Sequence, residues 1–450
     1  MQDDAPALSG IGIGDRLRAL GVRPLTRPAP VDTPVVTPQP PAPPTPAPRS
    51  RRARPLDELL PGAWQDTPYG RCLVVEYRYP LTHRHGTVAL RTLLDLPTGI
   101  LSHLGRSADF DGCDPRALLF FDTETTGLAG GTGTYVFLTG VGRFDGEEFV
   151  VQQLFMPDLE SERALLHVLN GLLREAGGLV SFNGRSFDWP LVEARFTLSR
   201  MRAASAAAAR HLDLLHAARR MWKQHLASCA LGELESQVLG LRREGDVPGW
   251  LIPSLYFDYL RSGRPQALLP VFEHNRLDVL SLLGLAGHLG RLLHAPEEAE
   301  LAGAEGYGLA RFYEDLGRPA DSLRAYDRAL STRLDPALRA TVVQRMTTLQ
   351  RRLGQTEAAL RIWEELVAGE TTLVFPYVEL AKHYEHRRKD YVTAEALVLR
   401  ALEICRNPWH LLAVPPAARA DLDKRLARLR AKAARHPARA AGQPAGASGP

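Results

Sequence analysis

The sequence predicts an α/β fold, a mixed sheet with flanking helices, followed by an all-α region of helical repeats. Three observations carry this expectation. Between Ala117 and about His288, apolar runs bounded by turn residues alternate with amphipathic stretches in the order βββαβαβα. After Glu297 the strand signals mostly vanish. In their place GRPADSLRAYDRAL, GQTEAALRIWEELV and DYVTAEALVLRAL align, so that Leu323, Leu360 and Leu397 recur at a spacing of 37 residues.

Residues 1–58 carry PAPVDTPVVTPQPPAPPTPAPRSRRARP, a stiff Pro/Ala tract too poor in large apolar side chains to build a core, and read as a disordered tail. The basic close of this tract, Arg49, Arg51, Arg52 and Arg54, either keeps it solvated or touches nucleic acid. Residues 59–115 are expected to form a strand-containing extension packed on the following domain, with CLVVEYRYP at 72–80 as its clearest strand. His83 and His85 would share a face on a strand, but no third ligand lies near enough to suggest a metal.

Within residues 116–295, ALLFFDTETTG is an apolar strand ending in a turn, and TYVFLTGVGRF and EEFVVQQLFMP are two more strands. SERALLHVLNGLLREAG is an amphipathic helix, and GLVSFNG a short buried strand. SFDWPLVEARFTL opens a helix, RHLDLLHAARRMW passes from strand to helix, and PVFEHNRLDVLSLLGLAGHL is a long helix. Residues 298–412 hold three helix-turn-helix repeats of tetratricopeptide (TPR-like) type, slightly longer than the standard unit, with an irregular bundle as the alternative. Residues 417–450, rich in Arg, Lys and Ala, are expected to fray from a basic helix into a largely disordered tail, with a weak hint of nucleic acid in their charge.

A chain of 450 residues is too long for one core, and 45% apolar with 24% charged residues excludes disordered and fibrous classes. Net charge is only +4, so the overall balance does not announce a nucleic-acid binder, although the basic residues are unevenly placed. Cys72, Cys113, Cys229 and Cys405 are too scattered for a disulfide framework or a structural zinc. The opening MQDDAPALSG lacks the features of a signal peptide and no apolar run reaches membrane-spanning length, so a cytoplasmic protein with no membrane partner is expected.

Asp122 and Glu124 lie two apart at the end of an apolar strand, so both carboxylates leave the same face of the sheet. Carboxylates that close repel unless a cation sits between them, and hard oxygen ligands suit magnesium or manganese. Taken alone, D-x-E is more often a solvated surface pair; its place between LLFF and the turn-rich TTGLAGG makes it a candidate site. Asp188, in SFNGRSFDWP, falls in the first turn of the next helix, where an N-cap is the plain alternative, and Asn183 may be read as an Asx turn. His274 and Asp278, in EHNRLDVLSLL, are four apart and stack on one helix face, as a surface ion pair or as a metal ligand beside an imidazole able to take a proton near neutral pH. The loop GLAGGTGT lacks the lysine of a nucleotide P-loop and reads as a tight strand connection beside the substrate path.

In order, D-x-E, N-x-x-x-x-D and H-x-x-x-D resemble the three motifs of the DEDD (DnaQ-like) exonuclease superfamily. More closely, FFDTETTGLAGGTGTYVFLTGVG, SFNGRSFDWP and HNRLDVLSLL resemble the YprB-type ribonuclease H-like family, over roughly residues 60 to 290. The resemblance implies a ribonuclease H-like sheet, often followed by helical repeats, and a catalytic set of Asp122, Glu124, Asp188, His274 and Asp278. Of these, Asp122, Glu124, Asp188 and Asp278 would hold two divalent metal ions, Mg2+ or Mn2+. Thr123, Thr125, Asn183 and Arg185 are the expected substrate contacts, and Asp213 in HLDLL is a site neighbour. His274 departs from the pattern: the histidine subtype places its base five residues before the aspartate, whereas His274 takes the spacing of the tyrosine subtype.

The expected function is a metal-dependent 3′–5′ exonuclease acting on single-stranded DNA or RNA, with Arg185, Arg195 and Arg200 as candidates for the substrate groove. Two alternatives remain open at this point. One is an interaction scaffold that docks a protein partner on its repeats and keeps a catalytically weak nucleic-acid-binding domain; the other is an endonuclease built on the same architecture.

Overall fold

The structure, a computed structural model, describes residues 56–127, 133–204, 206–406 and 416–435. The basic cluster through Arg54, nearly all of the Pro/Ala tail, most of the GLAGGTGT loop and the end of the chain after Arg435 lie outside the described residues.

One seven-stranded sheet organises the fold. Its strands are β1 (Gly62–Thr67), β2 (Gly70–Pro80), β5 (Leu118–Thr125), β6 (Val136–Asp145), β7 (Glu148–Phe155), β8 (Gly178–Ser181) and β9 (His211–Asp213), in the spatial order β1-β2-β7-β6-β5-β8-β9. A small separate ribbon pairs β3 (Arg84–His85) with β4 (Val88–Ala89). From β1 to β5 neighbours are antiparallel, whereas β8 and β9 run parallel to β5, each reached by a helical crossover. This is the mixed sheet with flanking helices that the periodicity predicts. The stretch before Ala117 supplies β1 and β2, which extend the sheet beyond β7 in a register running from Leu73↔Phe155 to Pro80↔Glu148 and so cover what would be a bare strand edge.

The central strand β5 is apolar on both sides because both sides are covered. Leu119 and Phe121 face a core closed by helices α1 (Glu162–Glu175), α2 (Asp188–Leu198) and α4 (Ile252–Ser262). Leu118 and Phe120 face the opposite core, closed by α3 (Leu214–Trp222) and α5 (Leu269–His294). Two glycines let α5 lie hard on the sheet. A Cβ at Gly140 would come within 2.8 Å of Val279 Cγ2 and 2.9 Å of Asn275 Cγ, and one at Gly142 within 2.7 Å of Val279 Cγ1. Any side chain at either position would lift the helix.

Helices follow to the end of the described chain: α6 (Gly303–Asp315), α7 (Pro319–Leu330), α8 (Pro336–Arg352), α9 (Thr356–Ala368), α10 (Val374–His383), α11 (Tyr391–Arg406) and α12 (Pro416–Arg435). From α7 onward each packs on its predecessor, and Leu323, Leu360 and Leu397 fall in α7, α9 and α11, alternate helices of the series. The first helices share their core with the sheet, since Phe120, Met221, Phe312, Tyr326 and Met346 belong to one buried cluster. Gly308 of α6 abuts the backbone of α3, where a Cβ would lie 2.8 Å from the Met221 carbonyl carbon, and Trp222 Nε1 donates to Glu305 Oε1 at 2.9 Å.

From Pro416 to Arg435 the chain forms the basic helix α12. Leu422 and Leu429, two turns apart, bury against α11 and give the helix an apolar stripe. Arg425, Arg428 and Lys432 all donate to the buried Glu385, which ties this helix to the chain before α11. Among the described residues no helix is long and apolar enough to cross a membrane.

Candidate metal centre

Asp122 and Glu124 stand at the C-terminal end of β5 on the face covered by α5. Asp122 lies opposite Gly140 on β6, and Gly140 opposite Gln153 on β7, forming a row across the sheet. Asn275 of α5 fills the space above the glycine. Its Nδ2 donates to Asp122 Oδ2 at 2.8 Å, and its Oδ1 accepts from Gln153 Nε2 at 2.9 Å. Gln153 Nε2 also donates to the Phe272 carbonyl at 2.7 Å. Both carboxamides are fully buried, so the orientation of Asp122 is set by a chain of hydrogen bonds drawn from three elements.

One turn further along α5, Asp278 meets Glu124 and His274, and one potential ligand atom from each lies within 4.8 Å of the others. His274 Nδ1 is 2.7 Å from Asp246 Oδ1, while its Nε2 lies 3.5 Å from Asp278 Oδ2. Arg243 Nη1 lies 3.3 Å from the same Nδ1, so the ring is held between Asp246 and Arg243 on one side and Asp278 on the other. Arg243 donates to Asp278, and its Nε donates to Glu235 Oε2 at 2.7 Å. Glu235, 1% exposed in its side chain, begins the π-turn Glu235–Leu239 and also accepts from Ser281. Ser281 in turn lies 2.7 Å from His85 Nε2. Burial, with smaller contributions from Arg243 and other nearby cations, pushes the His85 pKa down to about 4, so this histidine is a neutral member of the buried chain. His83 packs its ring on Tyr79 instead.

Asp188 approaches from the other side of the sheet. It is the first residue of α2, but the N-cap is Phe187 and no side chain caps the helix there; the Asp188 carboxylate instead accepts from the Thr123 hydroxyl. The preceding Asn183-Gly184 turn makes the approach possible. Asn183 has φ 65°, and a Cβ at Gly184 would stand 2.6 Å from Ser181 Oγ and 3.1 Å from Asp188 Oδ2. Asp213 pins the same turn, accepting from the backbone N–H of Asn183 at 2.7 Å and of Arg185 at 3.3 Å, and it caps α3 through Leu215 N–H at 3.1 Å. It therefore neighbours the carboxylates without joining the Glu124, His274 and Asp278 group.

The remaining expected site residues divide. The Thr125 hydroxyl donates to the Gly127 carbonyl, so both threonine hydroxyls are engaged internally, while Arg185 and Arg200 are exposed. Arg195 does not line a groove. It is 4% exposed, pairs with Glu162 at 2.5 and 2.8 Å, and lies 3.9 Å over the Tyr135 ring. A charged residue on α2 is buried here because a second charge from α1 is buried with it.

Burial raises the Asp122 carboxyl well above the ordinary range, and Asp278, Glu124 and Asp188 raise it further against the pull of the Asn275 hydrogen bond. Glu124 is raised likewise, by burial and then by Asp278 and Asp188, with Arg243 opposing. Burial also raises Asp188, against the hydrogen bond from Thr123. Acidic groups from β5, α2 and α5 thus crowd together with Arg243 as the cation among them, and Arg243 is already shared with Glu235. The donor set is carboxylate oxygen with one imidazole, which suits a hard divalent cation.

A family model described as RNase_H superfamily matches residues 119–290. The chain is 34% identical over 325 residues to the protein named "Uncharacterized protein YprB" from Bacillus subtilis (strain 168), a match that covers 71% of this chain and 78% of that protein. Superposition on the family B DNA polymerase from the hyperthermophilic archaeon Pyrobaculum calidifontis gives a TM-score of 0.33 at 19% identity, over 46% of this chain and 28% of the polymerase chain.

Proposed function

Because this chain belongs to the family of Bacillus subtilis YprB and carries a ribonuclease H superfamily domain, we propose that it is a metal-dependent nuclease that hydrolyses single-stranded nucleic acid from the 3′ end. The observation that carries the reading is the crowding of the half-buried Asp122, Asp188 and Asp278 around the buried Glu124, in which Asp122, Glu124 and Asp188 are held above their ordinary pKa. Leaving such charge uncompensated is costly, and a site retained for stability alone would be better built from apolar groups.

In this reading the four carboxylates hold two divalent ions, Mg2+ or Mn2+. When bound, the ions supply a water of lowered pKa and neutralise charge at the scissile phosphate. Asn275 fixes Asp122, and Thr123 fixes Asp188, so the oxygens are aimed before any ion arrives. His274 takes the proton of the attacking water at Nε2, and Asp246 stabilises the imidazolium through Nδ1–H. The four-residue spacing from His274 to Asp278 serves this role because Asp246, supplied from outside the helix, orients the ring. The 3′–5′ direction rests on the likeness of the three motifs to those of DEDD exonucleases. The helices α6 to α11 are read as tetratricopeptide-like pairs, since Leu323, Leu360 and Leu397 occupy the second helix of each.

Degradation of end-labelled single-stranded DNA and RNA by the full chain, with Mn2+, Mg2+ or EDTA, tests the reading. Stepwise shortening from the 3′ end that EDTA abolishes is expected. Products cut internally from the first time points would make it an endonuclease, and intact strands under every metal would leave the scaffold reading in its place.

A further inference from the structure

Two cavities open side by side along the seam where α6 meets α3, and they share His216 and Arg220. The first, of about 370 Å³, also receives Arg106, Arg185 and Asp213. The second, of about 360 Å³, also receives Arg219, Lys223 and Arg311, and neither a carboxylate nor an aliphatic side chain lines it. The cations outnumber their partners. Asp213 is committed to backbone N–H groups, and Asp315 is shared between Arg106 at 2.8 Å and Arg220 at 2.5 Å. Burial lowers the Arg220 pKa, and Arg311, Arg106 and Arg345 press it the same way against Asp315, which is the mark of crowded positive charge.

The seam begins beside the carboxylates. Because β5, β8 and β9 are parallel, Glu124, Asn183 and Asp213 lie toward one end of the sheet; Asp213 stands two strand spacings from β5, roughly 10 Å across, and level with Phe121, three residues short of Glu124. Arg185 stands on the turn between them, three residues before Asp188. The seam is also fixed in shape by the close approach of Gly308 to Met221 and by the Trp222–Glu305 hydrogen bond.

We propose that this seam is a track for a nucleic-acid backbone: the strand leaves the carboxylates past Arg185 and lies along α3 and α6, its phosphates on Arg220, Arg219, Lys223 and Arg311. The identity of the strand as substrate rests on the nuclease reading; the track itself does not. In the second cavity, point charges with no aliphatic lining fit repeated phosphates better than a peptide, whose binding usually needs a buried apolar contact. The helical region thereby becomes part of the nucleic-acid surface.

The test is equilibrium binding of a fluorescein-labelled single strand to the full chain in calcium buffer across a range of KCl, with strand integrity checked on a gel. Arg219→Glu with Lys223→Glu is compared with Arg174→Glu and Arg202→Glu, an exposed pair elsewhere on the domain. The seam variant is expected to bind about tenfold more weakly at low salt, with the slope of log K against log salt shallower by about 1.4, as for two lost phosphate contacts on a single strand. The comparison pair should stay within about twofold of the unsubstituted chain, a range set by long-range charge alone. Arg219→Gln with Lys223→Gln, which adds no repulsion, should keep the slope change if the glutamates disturb folding. Wild-type affinity and slope in both seam variants would overturn the track, as would no binding by the unsubstituted chain or equally tight binding of polyglutamate. Loss of binding in the seam variants of a chain that cuts nothing supports the track while removing the nuclease reading; cleavage with unchanged binding does the reverse.

Discussion

Replacing Gly140 by alanine probes the seating of α5 on the sheet, on which the geometry of the carboxylates depends. The new Cβ would lie 2.8 Å from Val279 Cγ2 and 2.9 Å from Asn275 Cγ, against an ordinary limit of 3.4 Å, so α5 must retreat by roughly half an ångström or more. Overpacking of this kind costs about 1–3 kcal/mol, and loosening the hydrogen bond from Asn275 to the Asp122 carboxylate adds about 1.5 kcal/mol or more. At about 2–4 °C per kcal/mol for a domain of this size, the melting point should fall by roughly 5–15 °C. Because Asp278 moves with the helix while Asp122 and Glu124 stay on the strand, Mn2+ should also protect the variant less, and cleavage should drop about tenfold or more. Gly171→Ala is the matched control: its Cβ meets nothing within 4 Å in mid-helix, and the change should stabilise by about 0.5–1 kcal/mol. Thermal unfolding with and without Mn2+, beside a cleavage rate, reads both effects. A Gly140→Ala protein that melts with the unsubstituted chain and keeps its Mn2+ response would refute the reasoning.

Arg243→Ala leaves Glu235 buried without its cation and should cost about 3–5 kcal/mol, with Arg243→Lys recovering part of it; a loss below about 1 kcal/mol in denaturant titration would mean that Arg243 is not the partner that matters. In metal-free protein, Asp122, Glu124 and Asp188 have folded pKa values above the ordinary carboxylate value of about 4, so across that window the folded chain holds more protons than the unfolded one. Stability contributed by these groups therefore falls as pH rises from about 4 through the raised values, and Mn2+ should restore it. Melting in EDTA against pH checks the sign, and a contribution from these residues that grows with pH, read as the difference from Asp122→Asn, would contradict it.

Much of this was legible where chemistry follows a local period. Asp122 and Glu124 are readable because strand residues two apart share a face, and His274 and Asp278 because helix residues four apart stack. Asn275 stands inside the same HNRLD segment, yet its partners Gln153 and Asp122 are far away in sequence, so only the row across the sheet gives it a role. A faint signal existed: it lies four residues from both Val271 and Val279 on the buried face of α5. Arg243, Glu235 and Asp246 come from a stretch with no clear period and bear on the carboxylates only through tertiary packing. Arg195 misleads for the opposite reason, since an arginine on a helix reads as exposed until Glu162 is seen beside it. The glycines of TGVGRF were visible too, but their purpose is set by a helix more than a hundred residues away.

The most direct test of the metal centre is the cleavage rate of Asp122→Asn under saturating Mn2+, with its melting point measured on the same preparation. Loss of cleavage in a protein that melts at or above the unsubstituted chain in EDTA is the expected result, because the substitution removes one of the crowded charges and keeps the shape. Cleavage at the unsubstituted rate would place the chemistry somewhere other than the end of β5.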